Sequence, residues 1–276
     1  MRLRSAGRWS ASELGFPAHA TFRVLQALPQ GGLAAGCDYG MALYQGGRWR
    51  PFPFPQGARR EMRAILDAAW LDGTLHLVSE RGSFQWSPGD AQAQGRGLPK
   101  DGAGGYDDLR AVHAAPSGLL RAWRSHLEGA EGPPECLSFV TGWQQRVFAG
   151  TRDGQLWELG VGPIRSFERE GKGRPVRHLS MGAGHLWAAA AGALWRWDGS
   201  TWTRREGEPY ALTTDPRERL WSLERGALWC SELGDPPTPI DWPLERPWQL
   251  CASEDRLWIG RRGGIERVVV EVGYSP

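Results

Sequence analysis

Lysine is almost missing from this 276-residue chain: Lys100 and Lys172 are its lysines, so arginine supplies nearly all of the positive charge. The formal balance is +2, from 33 basic and 31 acidic residues, which is too small for a bulk field to gather polyanions. Any anion site must therefore be a local patch. No stretch approaches the ~18 continuous apolar residues of a membrane span, and no apolar run follows the early arginines between Met1 and Ala20. Neither a membrane segment nor a secretory signal is expected, and the expected compartment is the cytoplasm.

The cysteines Cys37, Cys136, Cys230 and Cys251 are far apart, with no Cys-x-x-Cys pair and no clustered histidines, which argues against zinc. Buried free thiols and a disulfide between distant strands both fit them. A nucleophile elbow, a His-Glu zinc helix motif and a phosphate-cradling glycine loop are all absent. The nearest glycine-rich stretch, Gly171-Lys172-Gly173-Arg174, lacks the spacing and the following Ser or Thr. No catalytic residue, metal or cofactor is expected.

What the chain does have is 38 Gly, 20 Pro and 16 Trp, a composition of many short strands and tight turns. It also repeats. Leu186-Trp187, Leu220-Trp221 and Leu257-Trp258 are followed eight positions later by Leu194-Trp195, Leu228-Trp229 and Ile265, with Gly192, Gly226 and Gly263 two residues before those. Weaker copies in phase are Val147-Phe148 with Gly154 and Leu156-Trp157, Leu75-His76 with Gly82 and Phe84, and Leu33 with Gly40 and Leu43-Tyr44. A degenerate copy surrounds Leu119-Leu120 and Trp123. Seven units spaced around the ~40 residues of a propeller blade result.

Prolines near each boundary support that count: Pro17, Pro55, Pro99, Pro133, Pro175, Pro209 and Pro243. Proline suits the connection before a strand and not a central ladder position. The apolar segments after the prolines read as innermost strands, among them Phe22 to Leu28, Met62 to Ala69, Leu109 to Ala115, Val176 to Met181 and Trp248 to Ala252. Leu-Trp then opens a second strand, Gly-x-Leu-Trp a third, and a polar segment with one aromatic the outer strand.

The last unit stops after its third strand, at Val268 to Val272. Gly7-Arg8-Trp9-Ser10, which matches Gly47-Arg48-Trp49-Arg50, is the donor of its missing strand. The expected architecture is all-β, one seven-bladed β-propeller over 1–276, with its ring closed by an N-terminal strand completing the last blade. The closing strand is placed in 1–17 and the blades at about 18–55, 56–99, 100–133, 134–174, 175–208, 209–243 and 244–276.

Val147-Phe148-Ala149-Gly150-Thr151 with Gly154, and Leu257-Trp258-Ile259-Gly260 with Gly263-Gly264-Ile265, resemble the repeat of the bacterial two-component-regulator type of β-propeller. At blade level the resemblance covers nearly the whole chain. It implies the fold, and for function it implies a sensor, a docking module or occasionally a catalyst.

Candidate sites follow from the register. Tryptophan at a fixed repeat position packs between blades, whereas Trp70, Trp143 and Trp248 fall outside that phase or at strand entries and are candidates for exposed contacts. Arginine follows an apolar residue at the start of four inner strands, as Arg23, Arg63, Arg110 and Arg177. Blades four, six and seven carry Glu135, Ala211 and Gln249 there. Such arginines would ring one channel mouth and could bind carboxylate or phosphate through bidentate hydrogen bonds. Alternatively they pair with acids such as Glu61, Asp107 or Asp108 and merely solvate the rim.

Loops expected on the same face carry mixed charge, at Glu80-Arg81, Arg152-Asp153, Glu224-Arg225 and Arg261-Arg262, which suits a protein surface better than nucleic acid. His76, His113 and His178 could reach the channel. His178 with Glu135 is a loose echo of the channel-mouth His and Glu that hold a divalent metal in streptogramin-lyase-like propellers.

The leading expectation is a non-enzymatic protein-interaction scaffold or accessory subunit of a bacterial system. It would bind another protein through Arg23, Arg63, Arg110, Arg177, Trp248 and Gln249. The alternatives are a small-anion sensor using the same arginines and a metal-dependent lyase.

Overall fold

A computed structural model describes residues 2–56, 64–79, 82–97, 109–123, 126–167, 174–207, 209–232, 235 and 237–271. Its strands fall into seven antiparallel sheets, six of four strands and one of three. The innermost strands are Phe22–Leu28, Ile65–Leu71, Leu109–Ala115, Cys136–Gly142, His178–Gly182, Ala211–Thr214 and Pro247–Ser253. Each touches the next in that order and the last touches the first, so the sheets form a closed ring of seven blades.

Closure works as the sequence implies. In the last sheet Arg2–Ser10 pairs with the third strand, Gly264–Glu271, with Trp9 opposite Ile265 and Ser10 opposite Gly264. The chain's first strand thereby hides the outer edge of its last blade. Its seal is aromatic: Trp9 lies 5.6 Å from Tyr44, 5.6 Å from Trp49 and 6.1 Å from Trp258 between ring centroids.

The repeat markers sit where packing needs them. Leu186, Leu220 and Leu257 are buried on second strands, and Trp187, Trp221 and Trp258 beside them fill the wedges between blades. The glycine of the Leu-Trp-x-Gly signature has a steric cause. A Cβ on Gly260 would lie 2.7 Å from the Phe22 carbonyl oxygen, and one on Gly150 would lie 2.6 Å from the Val176 side chain. These glycines face the entry of the next blade's inner strand and let it close in. Boundary prolines Pro17, Pro55, Pro133, Pro175, Pro209 and Pro243 each precede an inner strand; Pro99 lies outside the described residues.

The degenerate third copy corresponds to the three-stranded sheet, whose outermost described strand is only Leu127–Glu128. Polar groups knit the inner strands across blades. Asp67 Oδ2 accepts from the Val112 amide at 2.9 Å, His113 Nε2 meets Thr141 Oγ1 at 2.9 Å, Ser138 donates to the Val176 carbonyl at 3.0 Å, and Thr213 accepts from the Ala252 amide at 3.2 Å. Ser180 and Thr214 are hydrogen-bonded as well. All four cysteines are buried free thiols, so the disulfide alternative falls away.

Candidate functional site

Five of the seven inner strands carry a β-bulge near their start. The register of each against its second strand shifts between Phe22 and Val24, Ile65 and Asp67, Leu109 and Ala111, Cys136 and Ser138, and Pro247 and Gln249. A bulge leaves one residue unpaired and re-aims its side chain. The unpaired residues are Arg23, Leu66, Arg110, Leu137 and Trp248. The equivalent positions in the two unbulged blades, Arg177 and Tyr210, each directly precede their strand. One local backbone device therefore presents a ring of side chains at one mouth of the channel.

The ring differs in part from the arginine series read in the sequence. Arg23 and Arg110 occupy bulge positions and Arg177 the corresponding one, although the Arg110 side chain lies outside the described residues. Arg63 lies outside them too, and the position of its blade that corresponds to Arg23 is Leu66. The bulge is invisible in a strict count of residues from the apolar start, which is why the blade-2 register differs by three positions. In blade 4 the position belongs to Leu137 and not Glu135, in blade 6 to Tyr210 and not Ala211, and in blade 7 to Trp248, one residue before Gln249.

Below the ring opens a cavity of about 1110 Å³, lined by parts of blades 4 to 7 and blade 1. Its charged walls are Arg23, Arg177, Arg246 and Arg262, joined by His19 and His178, and among the described residues no carboxylate lines it. Leu137, Tyr210, Leu244 and Trp248 supply apolar surface, and Gln249 lines it as well. Arg262 belongs to one of the charged loops expected on this face, whereas Arg246 was not among the candidate residues and sits in a connection whose only sequence cue is its neighbour Pro247.

Two of the candidates touch. The Arg23 guanidinium lies over the Trp248 ring, 5.5 Å from its centroid, and pairs with Asp38 at 3.5 Å. Among the described residues Asp38 is thus the partner of Arg23, while Glu61, Asp107 and Asp108 lie outside them. Trp248 stays 50% exposed and Leu66 41% exposed. Trp70 instead packs against the core of blades 1 and 2, and the Trp143 side chain is outside the described residues.

The cavity continues into the channel through a narrower space of about 370 Å³ lined by Gln26, Asp67, His113, Ser138, His178 and Gln249 among others. Burial pushes the Asp67 carboxyl up to about 6, opposed by its amide donors Val112 and Ala68. Burial holds the His113 imidazole down at about 4, and the same cause, helped by the charge of Arg177, holds His178 at about 4. His113 is further committed by its bond to Thr141 and by stacking on Phe139 at 5.8 Å. His76 sits on a second strand, away from this lining. Among the described residues no cluster of three His, Cys, Asp or Glu is arranged to hold a metal ion.

No protein-family model matches the sequence, and no curated protein matches it. Its fold is shared widely. Virginiamycin B lyase from Staphylococcus aureus superposes with a TM-score of 0.73 at 12% identity, covering 98% of this chain and 100% of that one. The extracellular domain of the hybrid two-component system BT3049 from B. thetaiotaomicron gives 0.72 at 12% identity, covering 96% of this chain and 41% of that one. YCF48 bound to a D1 peptide gives 0.68 at 14% identity, covering 98% of this chain and 97% of that one. At these identities the likeness shows the seven-bladed β-propeller fold alone.

Proposed function

We propose that this propeller is a non-enzymatic binding module, an interaction scaffold or accessory subunit of a bacterial system, that receives a partner protein at the bulge-lined mouth. One observation carries the reading. Of the three large apolar side chains most exposed among the described residues, two, Leu66 and Trp248, occupy equivalent bulge positions on that single face. An exposed apolar group rimmed by charge is the mark of a protein contact, and Trp and Arg are the side chains that dominate binding energy at such contacts.

Arg23, Arg177 and Gln249 belong to the same surface in this reading, which also assigns contacts to Arg110, whose backbone holds a bulge position there, and to Arg63, which lies outside the described residues. The neighbours lend support of a general kind: YCF48 is a propeller that binds a peptide, and propellers of similar shape serve as extracellular domains of sensor systems. The reading as a small-anion sensor uses the same arginines. A small anion would leave the exposed Leu66 and Trp248 without a role, which favours a polypeptide.

A photoreactive phenylalanine analogue placed at Leu66 or Trp248 in the native cell provides the test. Val161 is the control, being 77% exposed in the turn between the last two strands of blade 4, on the opposite face. A discrete protein adduct is expected from both mouth positions and not from position 161. Equal adducts from position 161, or none from the mouth, would remove the proposal.

A further inference from the structure

We infer that the partner offers an acidic segment of polypeptide: its carboxylates are taken by Arg177, Arg246 and Arg262, and an apolar side chain seats against Trp248. The inference rests on the reading of the mouth as a protein-binding face and names the chemistry of what enters it.

Charge segregation is the first argument. The protein as a whole has nearly equal numbers of acids and bases, and many of its arginines are neutralised locally: Arg146 by Glu158, Arg205 by Glu224, Arg219 by Asp215, Arg261 by Glu245. At the mouth the pattern breaks. Among the described residues no carboxylate pairs with Arg177, Arg246 or Arg262, and all three are exposed. Glu245, next to Arg246 in the chain, turns its carboxylate to Arg261 at 3.0 Å and Arg8 at 3.8 Å. The acid next to Arg246 in the chain is thus turned away from the cavity.

The backbone that carries two of these cations is tied together. The Arg262 amide donates to the Arg246 carbonyl at 3.2 Å, and Arg262 forms a bridge with Thr21 of the first blade. Arg246 adopts a left-handed conformation with φ of 48°, uncommon for a residue with a side chain. The backbone contact brings two like charges onto adjoining connections, and an anion bound between them would lower their mutual repulsion.

Trp248 gives the second half of the recognition. Arg23 occupies one side of its ring and is itself held by Asp38, so Arg23 is a positioning residue for the tryptophan while the other three arginines face the ligand. A single-stranded nucleic acid would want a succession of aromatic platforms along a basic track. This lining offers Trp248 and Tyr210 with the aliphatic Leu137 and Leu244, which suits the side chains of a peptide.

The probe is a fluorescein-labelled heptapeptide that alternates glutamate with leucine and phenylalanine, read by anisotropy against the full chain. Three comparison arms are the same peptide with glutamine for glutamate, citrate as competitor, and oligothymidylate. The acidic peptide is expected to bind at least tenfold more tightly than its glutamine counterpart and to weaken with added salt, since exposed charges are screened beyond ~8 Å at physiological ionic strength. The double variant Arg246→Ser, Arg262→Ser should lose about tenfold and flatten the salt dependence, and Trp248→Ala should lose a similar factor while keeping it.

Equal binding of the acidic and glutamine peptides, no binding of the acidic peptide, tighter binding of oligothymidylate, or citrate binding as tightly as the acidic peptide would each overturn the inference. The two proposals separate cleanly. If positions 66 and 248 cross-link a partner while the glutamine peptide binds as well as the acidic one, the acidic chemistry fails and the protein-binding mouth stands.

Discussion

Replacing Arg267 by methionine tests how the ring is held shut. Arg267 lies on the third strand of blade 7, and its guanidinium sits 5.6 Å from the ring of Trp9, 5.4 Å from that of Tyr44 and 5.6 Å from that of Trp258. It donates to the Tyr44 hydroxyl at 2.7 Å and to the Ala6 carbonyl at 2.8 Å. One side chain therefore ties the N-terminal strand, the last blade and the first blade together. Hydrogen bonds from a charged donor contribute about 1.5–3 kcal/mol each, and a desolvated cation over an aromatic ring up to about 2. Against these stands the guanidinium's own desolvation, which methionine does not incur, so a net loss of about 3 kcal/mol is expected.

At roughly 2–4 °C per kcal/mol for a chain of this size, the midpoint should fall by about 6–12 °C in a calorimetric scan. Arg267→Lys keeps the charge but cannot span both acceptors, and should fall between wild type and methionine. The 87% exposed Arg225 supplies a control, since Arg225→Met should stay within about 0.5 kcal/mol. Limited proteolysis should release the first strand faster in Arg267→Met. A methionine variant within about 2 °C of wild type, with an equally protected N-terminus, would refute the closure argument.

Asp215 should be among the most sensitive positions outside the aromatic core. It accepts from Arg219 Nε at 2.7 Å, Trp221 Nε1 at 2.9 Å and the amide nitrogens of Arg217 and Arg219, both at 3.0 Å. Asp215→Ala strands a buried guanidinium and should cost about 3–5 kcal/mol by denaturant titration; a loss below about 1 would show that the network is dispensable. Burial pushes the thiols of Cys136, Cys230 and Cys251 up to about 12 and that of Cys37 to about 11, so the native protein should resist thiol reagents and release all four only on unfolding. The channel should make stability pH-dependent. His113 and His178, held near 4 against an ordinary 6.5, favour the fold in their neutral form, so stability falls as pH drops from 6.5 towards 4. Asp67, raised to about 6, works in the opposite sense over about 6 to 4. Two imidazoles outweigh one carboxyl, giving a net loss of up to about 2–3 kcal/mol between pH 7.5 and 5; His113→Asn should flatten the profile, and a midpoint that is constant or rises on acidification would contradict this balance.

The blade count and the closing strand were legible because both are written in side chains that packing demands at fixed intervals. An apolar residue recurs where each second strand meets the next blade, followed by tryptophan in blades 5 to 7, and Trp9 repeats Trp49 because both serve the outer strand of a blade. The mouth was legible only in outline. Counting from an apolar residue finds Arg23 and Arg110, but a bulge inserts a residue without a marker of its own, and Leu66 takes the place that the count assigned to Arg63. Arg262 was legible as part of a charged loop on that face, but Arg246 and its pairing with Arg262 escaped for another reason: the two are adjacent through a backbone hydrogen bond between two connections, and their separation in the chain carries no periodicity.

In three of the five bulged blades the bulge and the repeat glycine sit side by side. In blades 1, 4 and 7 the residue after the bulge pairs with a glycine, as Val24 with Gly36, Ser138 with Gly150 and Gln249 with Gly260. In blades 2 and 3 the partner is Val78 or Ala122. A small residue there lets the neighbouring blade approach, and the bulge beside it turns one side chain out of the ladder towards the mouth. Structure therefore dictates that the mouth carries a side chain at that position but leaves its identity open. The repeat constrains the glycine and the leucine-tryptophan pair, and says nothing about whether Arg23, Leu66, Leu137 or Trp248 stands beside them. That freedom is consistent with a fold shared at 12% identity. It also means that what distinguishes this propeller must be sought in the ring positions that break the repeat.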